Sequence, residues 1–444
     1  MRRPYARSSS YRCVPHTLTQ DDTPPAPPGL EAILYRKELN MHEPDRRFVA
    51  LDLHKSYIVA GAVDDQLNVV LHPRRISCAK LEEWAKRHLR ATDAVVLEAG
   101  PNSWFVHDLL QPLVDSVTVV HSYHVKLIAA SMVKTDKIDT LVLARLLAVD
   151  ILPGIWVPPH HVRELRSLIS HRSRLVKQRA AAKNRLHSVL HRHNLVAPEG
   201  TPFSESTRDW WSTLPISNAE KLRVRQDLSV VDHLSPLIRE VEQQLAQLSV
   251  SEYWVEQVPF LVQIPGIGLL SSMTILSAIG DVTRFPTAKK LVGYSGLGGR
   301  VHISGRKRRT GGITKQGRRE LRTVMVECAW AAVRTHPFWS AEFAQLEKRI
   351  GKQKAIVAVA RKLLVVVWHV LTARAADRQA DVPAVARSLM NWGAGHRLAT
   401  GLGLSRPQFV REGLSQLGLG SSMASFSYCG RVYKLPSSVE SADT

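Results

Sequence analysis

The chain is poor in cysteine and has no long apolar run. Its four cysteines are widely separated among 444 residues, so a CxxC zinc or redox motif is excluded and a reduced, intracellular protein is favoured. No uninterrupted apolar run approaches the roughly 20 residues that a membrane span needs. The N-terminus "MRRPYARSSSYRC" lacks an apolar signal core, which leaves a transit peptide as an alternative interpretation of this segment.

Acidic residues are also few. Asp and Glu number 39 against 60 Lys and Arg, which gives a formal net charge of +21 and a sequence pI of about 10.1. Such a surplus indicates a polyanionic partner, most commonly nucleic acid, although ribosomal-type proteins share it and the charge alone defines no activity. Hydrophobic residues make up 44% of the chain, which is enough for two or three globular domains.

Composition divides the chain into five segments. Residues 1–46 include the Pro-rich stretch "DDTPPAPPGL", which predicts a disordered extension or linker, and Met41 is the expected start of the protein. After it we expect an α/β domain over 47–158, a basic coiled-coil region over 159–252, a mainly helical domain over 253–374 and a poorly ordered Gly- and Ser-rich tail over 375–444.

The first domain shows a recognisable order of strands and helices. "FVALDLHK", "SYIVAGAV" and "LNVVLHPRRI" predict three strands at hairpin spacing. Helical patterns then alternate with the strands "AVVLEAG" and "SVTVVH", and the last helix is "DTLVLARLLAV". Three antiparallel strands followed by alternating helix and strand is the order of the ribonuclease H-like fold.

Four acidic residues occupy informative positions in this domain. Asp52 lies inside an apolar strand, where an unpaired charge is costly. Glu98 ends another strand, and Asp136 and Asp139 are one turn apart on a helix. Converging carboxylates repel one another unless a cation joins them, and Mg²⁺, with Mn²⁺ as the alternative, prefers such oxygen ligands. The set predicts a two-metal phosphodiester-cleaving site, although an isolated Asp-x-x-Asp is more typical of a solvated helix start.

Basic residues flank the acids and fill the next segment. Lys134 and Lys137 are expected to hold a substrate phosphate. Residues 160–195 predict one long basic helix, which a periodic stretch from Leu234 to Leu248 is expected to join as an antiparallel coiled coil. We expect this helix to bind nucleic-acid phosphates through three arginines: Arg172, Arg179 and Arg185. A solvated helix without a specific partner is the alternative.

Two Gly-rich motifs lie in the second half of the chain. "PGIG" at 265–268 predicts a helix-hairpin-helix turn in which Gly266 and Gly268 let backbone N–H groups approach a phosphate, the alternative being an ordinary helix turn. "SGRKRRTGGITK" follows at 304–315 and begins with Ser304, whose hydroxyl is a candidate nucleophile, although most Ser-Gly pairs are turns. The nucleic-acid-binding cations expected here are Arg306, Lys307, Arg308, Arg309 and Lys315.

These motifs, taken in order, resemble one family. "LDLHK", "LEAG", "KTDKID", "LARLL" and "LPGIWVPP" resemble the N-terminal half of the DEDD-type insertion-sequence transposases. "PGIG", "FPTAKKLVGYSGL" and "SGRKRRTGGITKQGRRELR" resemble the C-terminal half, so the likeness covers residues 48–372. The resemblance implies a RuvC-like ribonuclease H domain joined through a coiled coil to a second domain that carries a nucleophilic serine. The four acids match the metal ligands of that family, and Ser304 matches the serine.

The resemblance also implies an activity and its partners. We expect a bacterial, nucleoid-associated cytoplasmic recombinase that cuts and rejoins DNA at element ends and target, guided by a structured non-coding "bridge" RNA. Its expected partners are donor and target DNA, the guide RNA and further copies of the chain in a dimer or tetramer, without a membrane. One alternative is a metal-dependent junction nuclease with water as nucleophile. The other is a non-catalytic nucleic-acid-binding protein derived from a transposase.

Overall fold

A computed structural model describes residues 46–123, 125, 135–304 and 307–437 of the chain, with the backbone alone at Val301, His302, Lys307, Arg308 and Thr310. The predicted extension over 1–46 lies outside these residues, except for Arg46. Contacts divide the chain into two compact units, unit 1 up to Val157 and unit 2 from Pro158.

Unit 1 consists of strands and helices in mixed order. In chain order its described elements are β1 (Phe48–Leu53), β2 (Tyr57–Val63), β3 (Val69–Ser77), α1 (Leu81–His88), β4 (Ala94–Glu98), α2 (Ser103–Leu110), β5 (Ser116–Val120) and α3 (Asp136–Ala148).

The strands of unit 1 form a five-stranded sheet in the order β3-β2-β1-β4-β5. β1 and β2 pair antiparallel, as do β2 and β3, whereas β4 pairs parallel with both β1 and β5. A mixed sheet with this order, three meandering strands followed by two parallel strands reached through helices, agrees with the predicted ribonuclease H-like fold.

Both faces of the central strands are buried, which explains their continuous apolar sequence. Because side chains alternate along a strand, Val49 and Leu51 pack on one face with α1 and α2. Phe48 and Ala50 pack on the other face, where Leu143 and Ala144 of α3 cover them. Helix α3 therefore lies against the face that carries the even-numbered residues of β1.

Unit 2 is mainly helical. Its described elements are α4 (His160–Arg192), α5 (Arg208–Thr213), α6 (Asn218–Leu248), α7 (Val258–Val262), α8 (Leu269–Ile279), α9 (Ala288–Ser295), β6 (Gly299–Ser304), β7 (Lys307–Ile313), α10 (Arg319–Thr335), α11 (Pro337–Ile350), α12 (Lys352–Ala373), α13 (Val382–Ala394), α14 (Leu398–Gly401), α15 (Arg406–Gln416), β8 (Ser425–Tyr428) and β9 (Arg431–Lys434).

The two longest helices, α4 and α6, pack side by side and run in opposite directions. Their apolar positions are buried at helical spacing, among them Leu165, Leu175 and Leu186 on α4. Pairs across the interface run in opposite sequence order: Arg172 with Glu242, Arg185 with Asp227 and Arg192 with Glu220. This antiparallel helical pair occupies the segment in which the sequence predicts a coiled coil.

Helix α12 is the one described helix long and apolar enough to cross a membrane. Half of its most apolar window is buried inside unit 2, where Leu363, Leu364 and Val367 are fully covered. Its apolar residues therefore form part of the core of unit 2.

The prediction of a poorly ordered tail is wrong for residues 382–434, which fold into helices and a two-stranded sheet. Leu389 and Met390 of α13 are fully buried, and the Trp392 Nε1 donates to the buried Ser249 Oγ at 2.8 Å. Two glycines of this segment allow close packing of its helices: a Cβ at Gly393 would lie 2.5 Å from the Phe409 ring, and one at Gly413 would lie 2.8 Å from the Leu389 side chain. This Gly-rich segment is therefore a layer of packed helices, in which some glycines allow close approach.

Candidate active site

The site begins at the carboxyl end of two neighbouring parallel strands. Leu51 of β1 is paired with Leu97 of β4, so the next residues, Asp52 and Glu98, lie at the same edge of the sheet. Both are even-numbered and therefore lie on the face that α3 covers. The Asp52 side chain is 26% exposed, and Glu98 is half-buried and has interaction partners.

Helix α3 brings two further acids to this face. Thr135 begins the helix in an extended conformation, and its Oγ1 accepts a hydrogen bond from the Ile138 N–H at 3.3 Å. This N-cap fixes the first turn, in which Asp136 and Asp139 lie where the helix dipole favours negative charge. Thr140, fully buried, donates its hydroxyl to the Asp136 carbonyl at 2.6 Å.

Asp52, His54 and Asp136 form a compact cluster. The His54 Nε2 lies 3.1 Å from the Asp52 Oδ2 and 3.4 Å from the Asp136 Oδ2. Tyr57 stacks on the His54 ring with centroids 4.3 Å apart and donates its hydroxyl to the Asp136 Oδ2 at 3.0 Å. The Arg75 guanidinium in turn lies over the Tyr57 ring, 3.3 Å from its centroid.

The electrostatics of the cluster favour a cation. Burial raises the pKa of Asp52 above its ordinary value, His54 lowers it, and the charges of Asp136 and Asp139 raise it further. One ligand atom from each of Asp52, His54 and Asp136 lies within 4.8 Å of the others. Two carboxylates and one imidazole suit a divalent cation that accepts oxygen and nitrogen ligands. These residues can therefore hold a metal ion.

Three residues of this cluster were not predicted as site residues: His54, Tyr57 and Arg75. The signal for His54 is present in "LDLHK", because residues two apart in extended chain lie on the same side. Tyr57 and Arg75 reach the cluster through the pairing of β2 and β3, which follows from strand register and leaves no local pattern in the sequence.

The predicted nucleophile, Ser304, belongs to unit 2. It is exposed, ends strand β6, and is paired across the antiparallel β6–β7 hairpin with Lys307. Of the cations predicted around it, Arg309 and Lys315 are both exposed, and Lys315 has a left-handed backbone conformation (φ 58°). Arg306 and Lys134 lie outside the described residues, while Lys137 is exposed.

The base of the β6–β7 hairpin is held by backbone and arginine contacts. Gly296 has a φ of 73°, and a Cβ there would lie 2.1 Å from the Gln316 carbonyl oxygen. The Arg322 guanidinium donates to the Ser295 carbonyl at 3.0 Å, and Arg318 donates to the Tyr294 hydroxyl at 3.2 Å. Burial opposes ionisation of Tyr294, but the neighbouring arginines, Arg318 foremost, lower its pKa below the ordinary value.

The three predicted phosphate-binding arginines of α4 have partners within the helical pair. Arg172 contacts Glu242 at 2.6 Å, and Arg185 forms a bidentate contact with Asp227. Arg179 donates to the Ser235 hydroxyl at 3.4 Å. Their periodic seam positions turn them toward α6, and their contact with nucleic-acid phosphates stays a prediction. Among the described residues, Arg174 and Lys177 are exposed on α4 without such partners.

The two glycines of "PGIG" differ in their surroundings. Gly266 has a φ of 84°, and a Cβ there would lie 2.4 Å from the Cys328 carbonyl oxygen of α10. Its small size is therefore required for helix packing. Gly268 is exposed and precedes α8 as its N-cap. A Cβ at Gly268 would meet no other atom within 4 Å, so the N-terminus of α8 is open to solvent there.

Two segments of the chain match transposase families. Residues 49–195 match a DEDD-type IS110 transposase family, described as "Transposase", and residues 259–345 match the "Transposase IS116/IS110/IS902 family". The first match contains the whole Asp52–Asp139 cluster and the second contains Ser304, and together they cover more than half of the chain.

Curated relatives agree with these matches. The transposase for insertion sequence element IS1111A of Coxiella burnetii is 24% identical over 74% of this chain and 90% of its own length. The putative transposase y4qE of Sinorhizobium fredii is 26% identical over 66% of this chain and 72% of its own. The pilin gene-inverting protein of Moraxella bovis is 27% identical over 57% and 72% of the two chains. The chain belongs to the IS116/IS110/IS902 family of transposases.

Proposed function

We propose that the protein cuts and rejoins DNA strands in a divalent-cation-dependent reaction that uses the acids of unit 1 and Ser304 of unit 2. The close approach of Asp52, His54 and Asp136 carries this proposal. Carboxylates this close together repel one another unless a cation binds between them. The relative named a pilin gene-inverting protein supports a recombination reaction rather than simple cleavage.

The protein residues have separate roles in this proposal. Asp52 and Asp136 hold the cation, Mg²⁺ or Mn²⁺, and Glu98 and Asp139 complete the carboxylate set. The His54 Nε2 supplies the third ligand atom of the cluster, and Tyr57 fixes Asp136 by its hydrogen bond. A bound divalent cation would polarise the phosphodiester and stabilise the attacking and leaving oxygens. Lys137 and Arg309 supply positive charge toward the phosphate backbone.

Ser304 is the proposed nucleophile. Its hydroxyl proton is removed as the Oγ–P bond forms, the phosphodiester P–O bond breaks, and the sugar oxygen leaves with a proton. Attack of a DNA hydroxyl on the phosphoserine then rejoins strands and restores the serine. Exposure at the end of β6 is compatible with access by a DNA strand.

The proposed partners follow from charge and family likeness. A formal net charge of +21 suits donor and target DNA together with a structured guide RNA. We further propose a homo-oligomer, a dimer or tetramer, acting in the bacterial cytoplasm at the nucleoid.

Trapping the covalent intermediate tests the proposal. The full chain is incubated with element-end DNA, guide RNA and Mg²⁺ and then denatured. We expect a DNA-linked protein from the wild type, none from Ser304→Ala, and an undiminished amount from Ser170→Ala, which alters an exposed serine of α4. Cleavage by Ser304→Ala without a protein adduct would favour water as nucleophile, and hence the junction nuclease.

A further inference from the structure

Unit 2 contains a cavity of about 520 Å³ between α11, α12 and the loop that follows α12. Its volume lies within the range of small-molecule sites, about 300–1,000 Å³. The floor is apolar and includes Val365 and Val366, and the rim carries Phe338, which is 38% exposed and meets Trp339 edge-on at 5.1 Å.

The rim of this cavity is strongly basic. Four cations line it, and among the described residues Arg349, Arg361 and Arg378 are exposed without an ion-pair partner. Lys362 is the exception, since it pairs with Glu342. Asp377 supplies the single carboxylate of the lining. Positive charge therefore exceeds negative charge at the mouth, which selects an anionic occupant.

Two buried polar atoms in the lining lack partners among the described residues. Trp339 is 2% exposed, yet its Nε1–H donates to no acceptor. The Asp377 Oδ2 likewise accepts from no donor. Buried polar groups of this kind are costly in a folded protein unless a ligand or an ordered water pairs with them. One donor and one acceptor are what the edge of a nucleobase can pair with.

The loop that carries Asp377 is fixed in place. The Asp377 N–H donates to the Oε1 of Gln263, a buried side chain, at 3.0 Å, and Arg374 pairs with Glu256. Burial raises the pKa of Asp377 above its ordinary value, although backbone N–H groups of Gln379 and Arg378 lower it. The Asp377 carboxylate is therefore held in position by protein contacts alone.

We propose that this cavity binds one unstacked nucleotide of an unpaired nucleic-acid strand. The base lies against Phe338 with its edge toward Trp339 and Asp377, and the neighbouring phosphates contact Arg349, Arg361 and Arg378. This inference rests on the proposed nucleic-acid function and adds a site to it. A second copy of the chain is a poor occupant, because its own surplus of positive charge opposes docking on a basic rim.

Binding of labelled oligonucleotides to the full-length protein tests this site. The probes are a 20-nucleotide mixed-sequence strand as DNA, the same strand as RNA, and the 20-base-pair DNA duplex, at one fixed salt concentration. Fluorescence anisotropy compares the wild type with Arg361→Gln/Arg378→Gln. The matched control, Arg387→Gln/Arg406→Gln, removes two exposed charges that do not line the cavity.

The double variant in the cavity should bind single strands about tenfold more weakly, with duplex affinity within twofold of the control variant. Phe338→Ala should give a similar loss of about tenfold for single strands, because stacking of a base on an aromatic ring is lost. The DNA and RNA arms identify which strand the cavity prefers.

Equal losses for single strand and duplex, or for cavity and control variants, would overturn the proposal. So would a change of mass in light scattering for Phe338→Ala with unchanged affinity, which would make the cavity a subunit interface. Each of these three results leaves the proposed recombinase function standing. A wild type that binds none of the three probes would contradict the recombinase function as well.

Discussion

At the scale of single residues, the position of Asp52 determines its chemistry. The carboxylate is three-quarters covered and faces Asp136 and Asp139, and a positively charged ligand would relieve this repulsion. Its raised pKa means that the folded, metal-free protein binds a proton more readily than the unfolded chain. Ionisation of Asp52 therefore costs stability, and this cost grows as pH rises through the window between the ordinary and the raised pKa.

The variant Asp52→Asn should accordingly be no less stable than the wild type when metal is absent. We expect an equal or higher Tm for Asp52→Asn at pH 7 in EDTA, and a smaller difference between the two proteins at pH values low enough to protonate Asp52. Differential scanning calorimetry of both proteins at pH 7 and pH 3.5 measures this. A clearly lower Tm for Asp52→Asn at pH 7 would mean that the carboxylate is stabilised by protein contacts alone.

Substitutions at Gly266 and Gly268, two residues apart, should differ in their effect on stability. Gly266→Ala places a Cβ against the α10 backbone in a left-handed conformation, so the free energy of unfolding should fall by about 2 kcal/mol or more. Gly268→Ala meets open space at a φ of −99° and should leave folding unchanged. Urea unfolding of the two variants is the measurement. Equal destabilisation by both would contradict the packing role assigned to Gly266.

At the scale of elements, the cations of α4 are of two kinds: some form ion pairs with α6, and others are exposed. Arg172→Gln/Arg185→Gln should lower stability modestly, by about 0.2–1 kcal/mol for each ion pair. Arg174→Gln/Lys177→Gln should instead weaken nucleic-acid binding and reduce the log–log salt slope by about 0.7 for each phosphate contact to a single strand.

Titrations of single-stranded DNA at several salt concentrations, beside thermal unfolding, distinguish the two pairs of variants. If Arg172→Gln/Arg185→Gln reduced the salt slope and Arg174→Gln/Lys177→Gln did not, the paired arginines would leave α6 to bind phosphate.

The elements of unit 1 could be predicted from the sequence because their patterns are local. Continuous apolar runs predicted β1 and β4, and Asp136 with Asp139 one turn later indicated the start of α3. The partners of Arg172 and Arg185 could not be predicted, since they depend on the alignment of α6 against α4. A basic periodic helix looks the same whether its arginines meet glutamate or phosphate.

At the scale of the whole molecule, composition gave the wrong expectation for the C-terminal segment. Its glycines suggested disorder, yet Gly393 and Gly413 are the positions where α13 and α15 approach each other's side chains too closely for a Cβ. Arg411, almost fully buried, donates to the carbonyls of Gly420, Met423 and Pro436 and closes the segment. These contacts join residues distant in the sequence, so no local sequence pattern predicts them.

The segment should therefore contribute to the stability of unit 2. Trp392→Ala removes a buried ring that contacts Phe409 and leaves the Ser249 hydroxyl without its donor, which should cost about 3–5 kcal/mol. Thermal unfolding and limited proteolysis detect the loss, with the exposed Arg387→Gln as control. Unchanged stability would restore the view of this segment as an appended tail.

We propose that strand cleavage depends on a divalent cation held by the Asp52 cluster of unit 1. The most direct test measures cleavage of element-end DNA by the full chain, with guide RNA, over a Mg²⁺ titration. It compares the wild type with Asp52→Asn and with Asp65→Asn, an exposed acid of the β2–β3 turn. We predict wild-type cleavage by Asp65→Asn and a loss of at least about 100-fold for Asp52→Asn at every Mg²⁺ concentration. Full cleavage by Asp52→Asn in Mg²⁺ would show that the Asp52 carboxylate is not needed to bind the cation.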